Sequence, residues 1–341
     1  MVGKVLRVIL SQRQLNRAVL ARQGLLERRA LELPAALDAM GGLQAQYAPS
    51  MYIGLWSRVE GFERDALTRA LHDRSVIQAT LMRFTIHLVS AADYWPLAVA
   101  IRESRRASWL RVTKSGDLSE AADVLETALE GGPLRRKEIV ALIGAEAMRG
   151  IGAWVDLVRV PPFGTWEQRR ADLYGLAYDW LEPPAVDPDE ALDHLVTRYL
   201  TGFGPATKAE IANWAGMTNK EIEPALARLP LDTHEDEDGG ALYDLPGLPL
   251  PDPDTPAPVR FLPTWDAALL VHCRRAGLLP EAFRERIFNT KMPQSIGTFL
   301  VDGAVAGTWK PDGTLTPFVE LTKAQRAEVD REFAALVAFS A

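Results

Sequence analysis

DPDEALDHLVTRYLTGFGPATKAEIANWAGMTNKEIEPALARLPLDTHEDEDGGALYDLPG, residues 187–247, spells out a complete small module. After the opening DPDE, apolar residues recur at helical spacing until Gly202 and Gly204 close the first helix. A short helix follows over ATKAEIANWA, then the turn Gly216-Met217-Thr218, with Thr218 placed to cap a second short helix. Two strands around an acidic, glycine-containing tip complete the segment. Helix, helix, turn, helix, hairpin is the plan of a winged helix.

The same plan recurs upstream, and repeats of this kind set the architecture before any single residue does. A second copy runs from SEAADVLETALEGGPLRRKEIVALIG through a helix near AEAMRGIGAWVDLVR to a wing over VPPFGTWEQRRADLYGLA, with Ser119 as the expected cap. A first copy is read from SQRQLNRAVLARQG, ELPAALDAMGG and ERDALTRALHDR into VIQATLMRFTIHLVS, whose valines, isoleucines and phenylalanine predict two strands folding back near Arg83 and Phe84. The proline-rich PGLPLPDPDTPAPVR, residues 246–260, is a linker. Beyond it, TFLVDGAVAGTWK is a hairpin on Asp302-Gly303, and LTKAQRAEVDREFAALVAF is a terminal helix. The fold class is therefore mainly α with β, three tandem winged helices over 1–115, 116–185 and 186–250, and a small β unit with its helix over 259–341.

Composition excludes several classes of function. The 341 residues are 48% hydrophobic and 24% charged, an ordinary globular balance. No apolar run approaches the roughly 20 residues that cross a bilayer, and the N-terminal apolar stretch is too short for a secretory signal, so a cytoplasmic protein without membrane contact is expected. Cys273 is the single cysteine, expected as a buried small apolar residue, and the five histidines show no ligand spacing; neither a metal nor an organic cofactor is called for. Net charge is −7, yet residues 1–114 carry 17 Lys and Arg against 9 Asp and Glu, while eight acids crowd into 231–254 with no Lys or Arg among them. That asymmetry fits either a one-faced binder of a polyanion or a solvated acidic loop with basic helix faces.

The chemistry-bearing stretch is MGGLQAQYAPS, residues 40–50. Gly41 and Gly42 stop a helix, so LQAQY is extended or a loose turn, and in an extended chain Gln44 and Gln46 project to one side. Each amide offers one acceptor oxygen and two donor hydrogens, which can orient a water without any group ionising. Two surface glutamines give the same text.

This motif resembles the Gln-apolar-Gln catalytic motif of the AlkZ-like DNA glycosylases, a bacterial family of tandem winged helices. TLMRFTIHLVSAADYW (80–95), FLPTWDAALL (261–270) and LVDGAVAGTWK (300–310) resemble the same family, in the same order along the chain. A second branch of that family has Gln-x-Asp; Gln46 puts this chain with the amide-only branch. The resemblance implies a monofunctional DNA glycosylase that hydrolyses N7-alkylated purines, bulky or cross-linked, in double-stranded DNA, with Gln44 and Gln46 catalytic and self-resistance to a DNA-alkylating natural product as a setting. A monomer is expected.

For other residues the resemblance suggests DNA contacts beside a plainer structural reading. His87 is either a contact to the damaged site or backbone or a structural histidine of the first wing. Arg83 and Phe84 either probe and wedge the duplex at the hairpin turn or, for Phe84, fill the core. Trp309 lies either near DNA or in packing. Arg13, Arg17, Arg22, Arg102, Arg105 and Arg106 are candidate phosphate contacts or surface charges. A winged-helix transcriptional regulator without catalytic activity is the alternative function.

Overall fold

Thr218 accepts from the Glu221 N–H, and Glu221 returns a carboxylate to the Thr218 N–H, a capping box that starts helix Asn219–Arg228 where the sequence places it. Helices Pro188–Phe203 and Lys208–Ala215 precede it, and strands Asp232–Asp236 and Ala241–Asp244 form the wing. This computed structural model describes residues 8–113, 116–182, 185–270, 277–288 and 296–341; Cys273 and His272 lie outside them.

The second repeat follows its expected course through helices Ser119–Leu129 and Arg136–Ile143 to strands Leu157–Arg159 and Leu173–Leu176. Its cap differs: Ser119 is the first helical residue, and its N–H donates to Asp117 Oδ1 at 2.8 Å. The first repeat differs more. Its three helices are Leu33–Met40, Ala48–Arg58 and Arg64–His72, and its wing is Val76–Thr80 with Ile86–Ser90. The sequence pattern does not announce helix Ala48–Arg58 because Pro49 looks like a breaker, yet a proline in the first helical turn lacks only an N–H that has no partner there anyway.

Helix Gln12–Arg22, read as the opening of the first repeat, belongs elsewhere. The strand before it, Ile9–Leu10, adds in parallel to Asp232–Asp236 of the third wing. Its Val19 and Leu20 share a core with Leu262, Leu300 and Val305 of the C-terminal unit. There Arg260–Leu262, Thr298–Val301, Ala304–Trp309 and Leu315–Pro317 form an antiparallel sheet, with Asp302 (φ 47°) and Gly303 (φ 79°) in the expected tight turn. Helix Lys323–Ser340 crosses back to the first repeat, where Phe339 stacks on Trp56 at 5.9 Å.

The first two wings merge. Val158 pairs with Ala79, so one six-stranded sheet runs in the order Leu43–Gln44, Ile86–Ser90, Val76–Thr80, Leu157–Arg159, Leu173–Leu176, Leu134–Arg135. Beneath it, a core including Met82, Ile101, Val158, Tyr199 and Trp214 draws on all three repeats.

Candidate functional site

Helix Leu33–Met40 ends on Gly41 (φ 73°) and Gly42 (φ 76°), both in the left-handed region. A Cβ on Gly42 would stand 3.0 Å from the Leu88 carbonyl oxygen, so its absence lets the chain run close along strand Ile86–Ser90. Leu43–Gln44 pairs with that strand, with Gln44 opposite His87. The Ala45 N–H donates to the Ile86 carbonyl at 2.7 Å. In return the Ile86 N–H donates to Gln46 Oε1 at 2.7 Å, so a side-chain amide takes the place of the ladder carbonyl.

Gln44 is buried and its Oε1 accepts from Arg83 Nη2 at 3.1 Å; Gln46 is exposed. Both motif oxygens are thus aimed by donors of one short segment, Arg83 to Ile86. An amide oxygen has two lone pairs, so each keeps one for a further donor.

Arg83 and Phe84 make the turn of the wing at φ 54° and 57°. Arg83 does not reach outward: Nη1 donates to the Trp214 carbonyl at the end of helix Lys208–Ala215, tying the first repeat to the third. Burial lowers its pKa to about 10, which leaves it charged at neutral pH. Gly216 (φ 77°) is what permits this contact, since a Cβ there would lie 2.9 Å from the Arg83 nitrogen. Gly216→Ala is expected to lower stability by about 1–3 kcal/mol through left-handed strain and displacement of the Arg83 turn. Urea unfolding checks it; a midpoint equal to wild type contradicts the contact.

His87 is buried, and its Nδ1–H donates to the Thr85 carbonyl at 3.0 Å. Burial first, then the positive charges of Arg83 and Arg105, push its pKa down to about 3. The imidazole is therefore neutral and enclosed, which corrects the reading of His87 as a backbone contact. With the folded pKa below the unfolded value near 6.5, its contribution to stability is complete above pH 6.5 and is lost as pH falls toward 3. Between pH 7 and 5 that loss is about 2 kcal/mol at roughly 1.4 kcal/mol per unit. Urea unfolding at both pH values should show it, and His87→Gln should flatten the slope; an unchanged slope overturns the assignment.

The arginines of helix Ala91–Val112 largely serve as braces. Arg102 pairs with Asp156 at 2.8 Å, Arg106 Nε donates to the Ala153 carbonyl at 2.8 Å, and Arg105 is buried beneath Phe84, its Cζ 4.7 Å from the ring centre. Arg106 keeps about a third of its side chain exposed, with its Cζ 5.9 Å from the Trp154 ring centre. Phe84 is half-buried, so a free wedge is not what the turn presents.

Further from the motif, Arg17 and Arg22 are corrections. Arg17 is enclosed against Asp302 and the Thr255 carbonyl, and Arg22 forms a two-armed pair with Asp244 at 2.6 and 2.7 Å. Neither side chain is open to solvent. Arg13 is half exposed but bound to Asp302 at 3.0 Å and to the Pro253 carbonyl at 2.8 Å. These three hold the N-terminal helix to the linker, the third wing and the C-terminal hairpin.

Trp309 is brought toward the motif. It is buried, with Nε1–H donating to the Leu262 carbonyl at 2.9 Å, and lines a half-open cavity of about 360 Å³ together with Tyr47, Ser50, Trp166 and Arg169. Tyr47 directly follows Gln46, and its hydroxyl accepts from Arg169 at 3.1 Å. The volume is within the range of small-molecule pockets, which begins at about 300 Å³. Trp166 and Arg169, both from the second repeat, carry no signal in the sequence that marks them as site residues. Gln78 does carry one: it is a polar residue between Ile77 and Ala79 in a strand, and it is buried with Nε2 toward the Ala45 carbonyl at 3.4 Å.

Among the described residues no group of His, Cys, Asp or Glu is arranged to hold a metal, and no helix is long and apolar enough to cross a membrane. The solved structure of the DNA glycosylase AlkZ from Streptomyces sahachiroi superposes with a TM-score of 0.80 over 98% of this chain and 97% of that one, at 20% identity, a likeness of fold. An interstrand DNA cross-link repair glycosylase of the same organism is 25% identical over 224 residues, a match spanning 57% of this chain and 58% of that protein. A family description, DNA glycosylase AlkZ-like, matches residues 37–339, a span that contains both motif glutamines, all three wings and most of the C-terminal unit. The chain belongs to the AlkZ-like DNA glycosylase family.

Proposed function

We propose that the protein is a monofunctional DNA glycosylase that hydrolyses the N-glycosidic bond of N7-alkylated purines, with Gln44 and Gln46 touching the water and the sugar. The observation that carries this reading is the pair of amide oxygens fixed by Arg83 and by the Ile86 N–H, each with a lone pair left over. An N7-alkylated purine already bears positive charge, so no acid is needed to expel it. The C1′–N9 bond breaks, its electron pair neutralises the departing base, and a water oxygen bonds to C1′ while its proton passes to solvent. Two carbonyl dipoles at the sugar favour the cationic transition state, and an oriented water shortens its path to the carbon. The cavity beside Gln46 offers space for the base or its adduct.

The similar cross-link repair protein supports extending the substrate to cross-linked and bulky N7-adducts, and self-resistance to a DNA-alkylating natural product is the setting we propose. The working form is a monomer on double-stranded DNA in the cytoplasm. Release of free 7-methylguanine from methylated duplex DNA tests the reading, with wild type active and Gln44→Ala and Gln46→Ala folded but slow. Wild type releasing no more than spontaneous loss, while holding one duplex sequence tightly, makes the protein a regulator instead.

A further inference from the structure

The seam between the first and second repeats encloses a cavity of about 150 Å³ that excision chemistry leaves unused. Arg105 and Arg159 line it as buried groups, and Arg136 and Arg149 line it as exposed ones. Each buried guanidinium is backed by an aromatic face: Arg105 Cζ lies 4.7 Å from the Phe84 ring centre and Arg159 Cζ 3.9 Å from that of Tyr174. Stacking of this kind leaves the in-plane N–H edges as donors.

Some of those donors are used within the chain. Arg105 Nη1 donates to the Thr80 carbonyl at 3.2 Å and Arg159 Nη2 to the Thr80 hydroxyl at 2.8 Å. Arg105 Nε and Arg159 Nη1 are buried with no acceptor among the described residues. An unanswered buried donor is costly, more so on a charged group, and both of these belong to side chains that line one cavity, where a small shift of either guanidinium would meet an acceptor from outside the chain. Asp156 also lines the space, but its Oδ2 is engaged by Arg102 at 2.8 Å. Four guanidiniums facing one already paired carboxylate make the cavity strongly positive, and burial weakens screening by salt.

Its position relates it to the motif. Thr80 is the register partner of Ile86, the residue whose N–H holds Gln46. The cavity's Thr80 edge is therefore two strand spacings from the Gln46 side of the sheet, about 10 Å.

We propose that this cavity is an oxyanion site for a phosphate group, and that its occupant is a backbone phosphodiester of the strand whose damaged nucleotide lies over Gln44 and Gln46. A planar guanidinium pair suits phosphate oxygens, and the exposed rim at Arg136 and Arg149 lets a phosphate enter while still joined to its strand. Only the identity of the occupant as DNA rests on the proposed glycosylase function; the phosphate site does not.

The test uses the full chain with two variants, Arg136→Ala/Arg149→Ala at the exposed rim and Arg159→Gln inside, so that a folding failure of the second leaves the first informative. Binding of a short undamaged duplex is followed across a series of KCl concentrations, and thermal unfolding is followed in inorganic phosphate against chloride of equal ionic strength. The expected result is a salt slope shallower by about 1 in the variants, as when one fewer phosphate is neutralised, together with a phosphate-induced rise in Tm that wild type shows and the variants lack. If the Tm effect follows the variants but the salt slope does not, the oxyanion site stands and its occupant is a free phosphate, which overturns the DNA assignment. If neither measurement separates wild type from the variants, the site itself is refuted. Excision is not read in either arm, so an inactive protein would count against the glycosylase proposal and not against this one.

Discussion

Arg22→Ala is expected to lower the free energy of unfolding by about 3–5 kcal/mol, the usual cost of removing one member of an enclosed ion pair. Arg22 is about 1% exposed and Asp244 about 3%, and two short bonds join them. Truncating the arginine leaves the carboxylate in a dry site where, among the described residues, the Leu245 N–H at 2.9 Å answers it. It also takes away one of the two donors to the Leu200 carbonyl near the end of helix Pro188–Phe203, which Arg22 Nη1 and the Gly204 N–H each hold at 2.9 Å. Replacing both partners, as Arg22→Met with Asp244→Leu, should return most of the loss, because the attraction between buried ions does little more than offset their desolvation. Arg13→Ala is the comparison: its pair with Asp302 is about half exposed and should contribute no more than about 1 kcal/mol. Urea unfolding of the four proteins decides the matter. An Arg22→Ala midpoint as mild as that of Arg13→Ala would falsify the structural role and reopen a role at the surface.

Gln46→Ala should slow excision of 7-methylguanine by about a hundredfold, and Gln44→Ala by a similar factor, the scale seen when one preorganised polar group is removed from a transition state. The mechanism by which each change acts differs. Loss of Gln46 strips the Ile86 N–H of its acceptor and lets the edge of the sheet loosen, whereas loss of Gln44 leaves the half-buried Arg83 short of one partner. Because both oxygens are aimed by the same segment, the double variant should be far less impaired than the product of the two single effects. Gln46→Glu keeps an oxygen for Ile86 and should retain more activity than Gln46→Ala. Neither amide titrates, and His87 is pressed to a pKa of about 3, so the wild-type rate should be flat from pH 5 to 9 apart from any loss of folded protein. An inflection near neutrality, or Gln46→Ala excising at the wild-type rate, would remove these side chains from the chemistry.

The sequence by itself determined whatever is encoded within a few residues. Thr218 with Glu221 fixed a helix start, Gly41 and Gly42 fixed the stop that frees Gln44 and Gln46, Asp302-Gly303 fixed a tight turn, and Arg83-Phe84 fixed the fold-back of the first wing. Capping, positive φ and the periodicity of apolar residues are local physics, so they are readable without the rest of the chain. Tertiary structure alone decided which charges face water. Arg22 finds Asp244 222 residues away, and Arg17 reaches the Asp302 carbonyl across 285. It also decided that Ile9–Leu10 completes the third wing, that the first two wings share one sheet, and that arginines of both repeats surround one cavity at their seam. An arginine's spelling is the same inside and outside; burial and partner are set by surfaces that exist only after distant segments have packed together, and no local pattern carries that information.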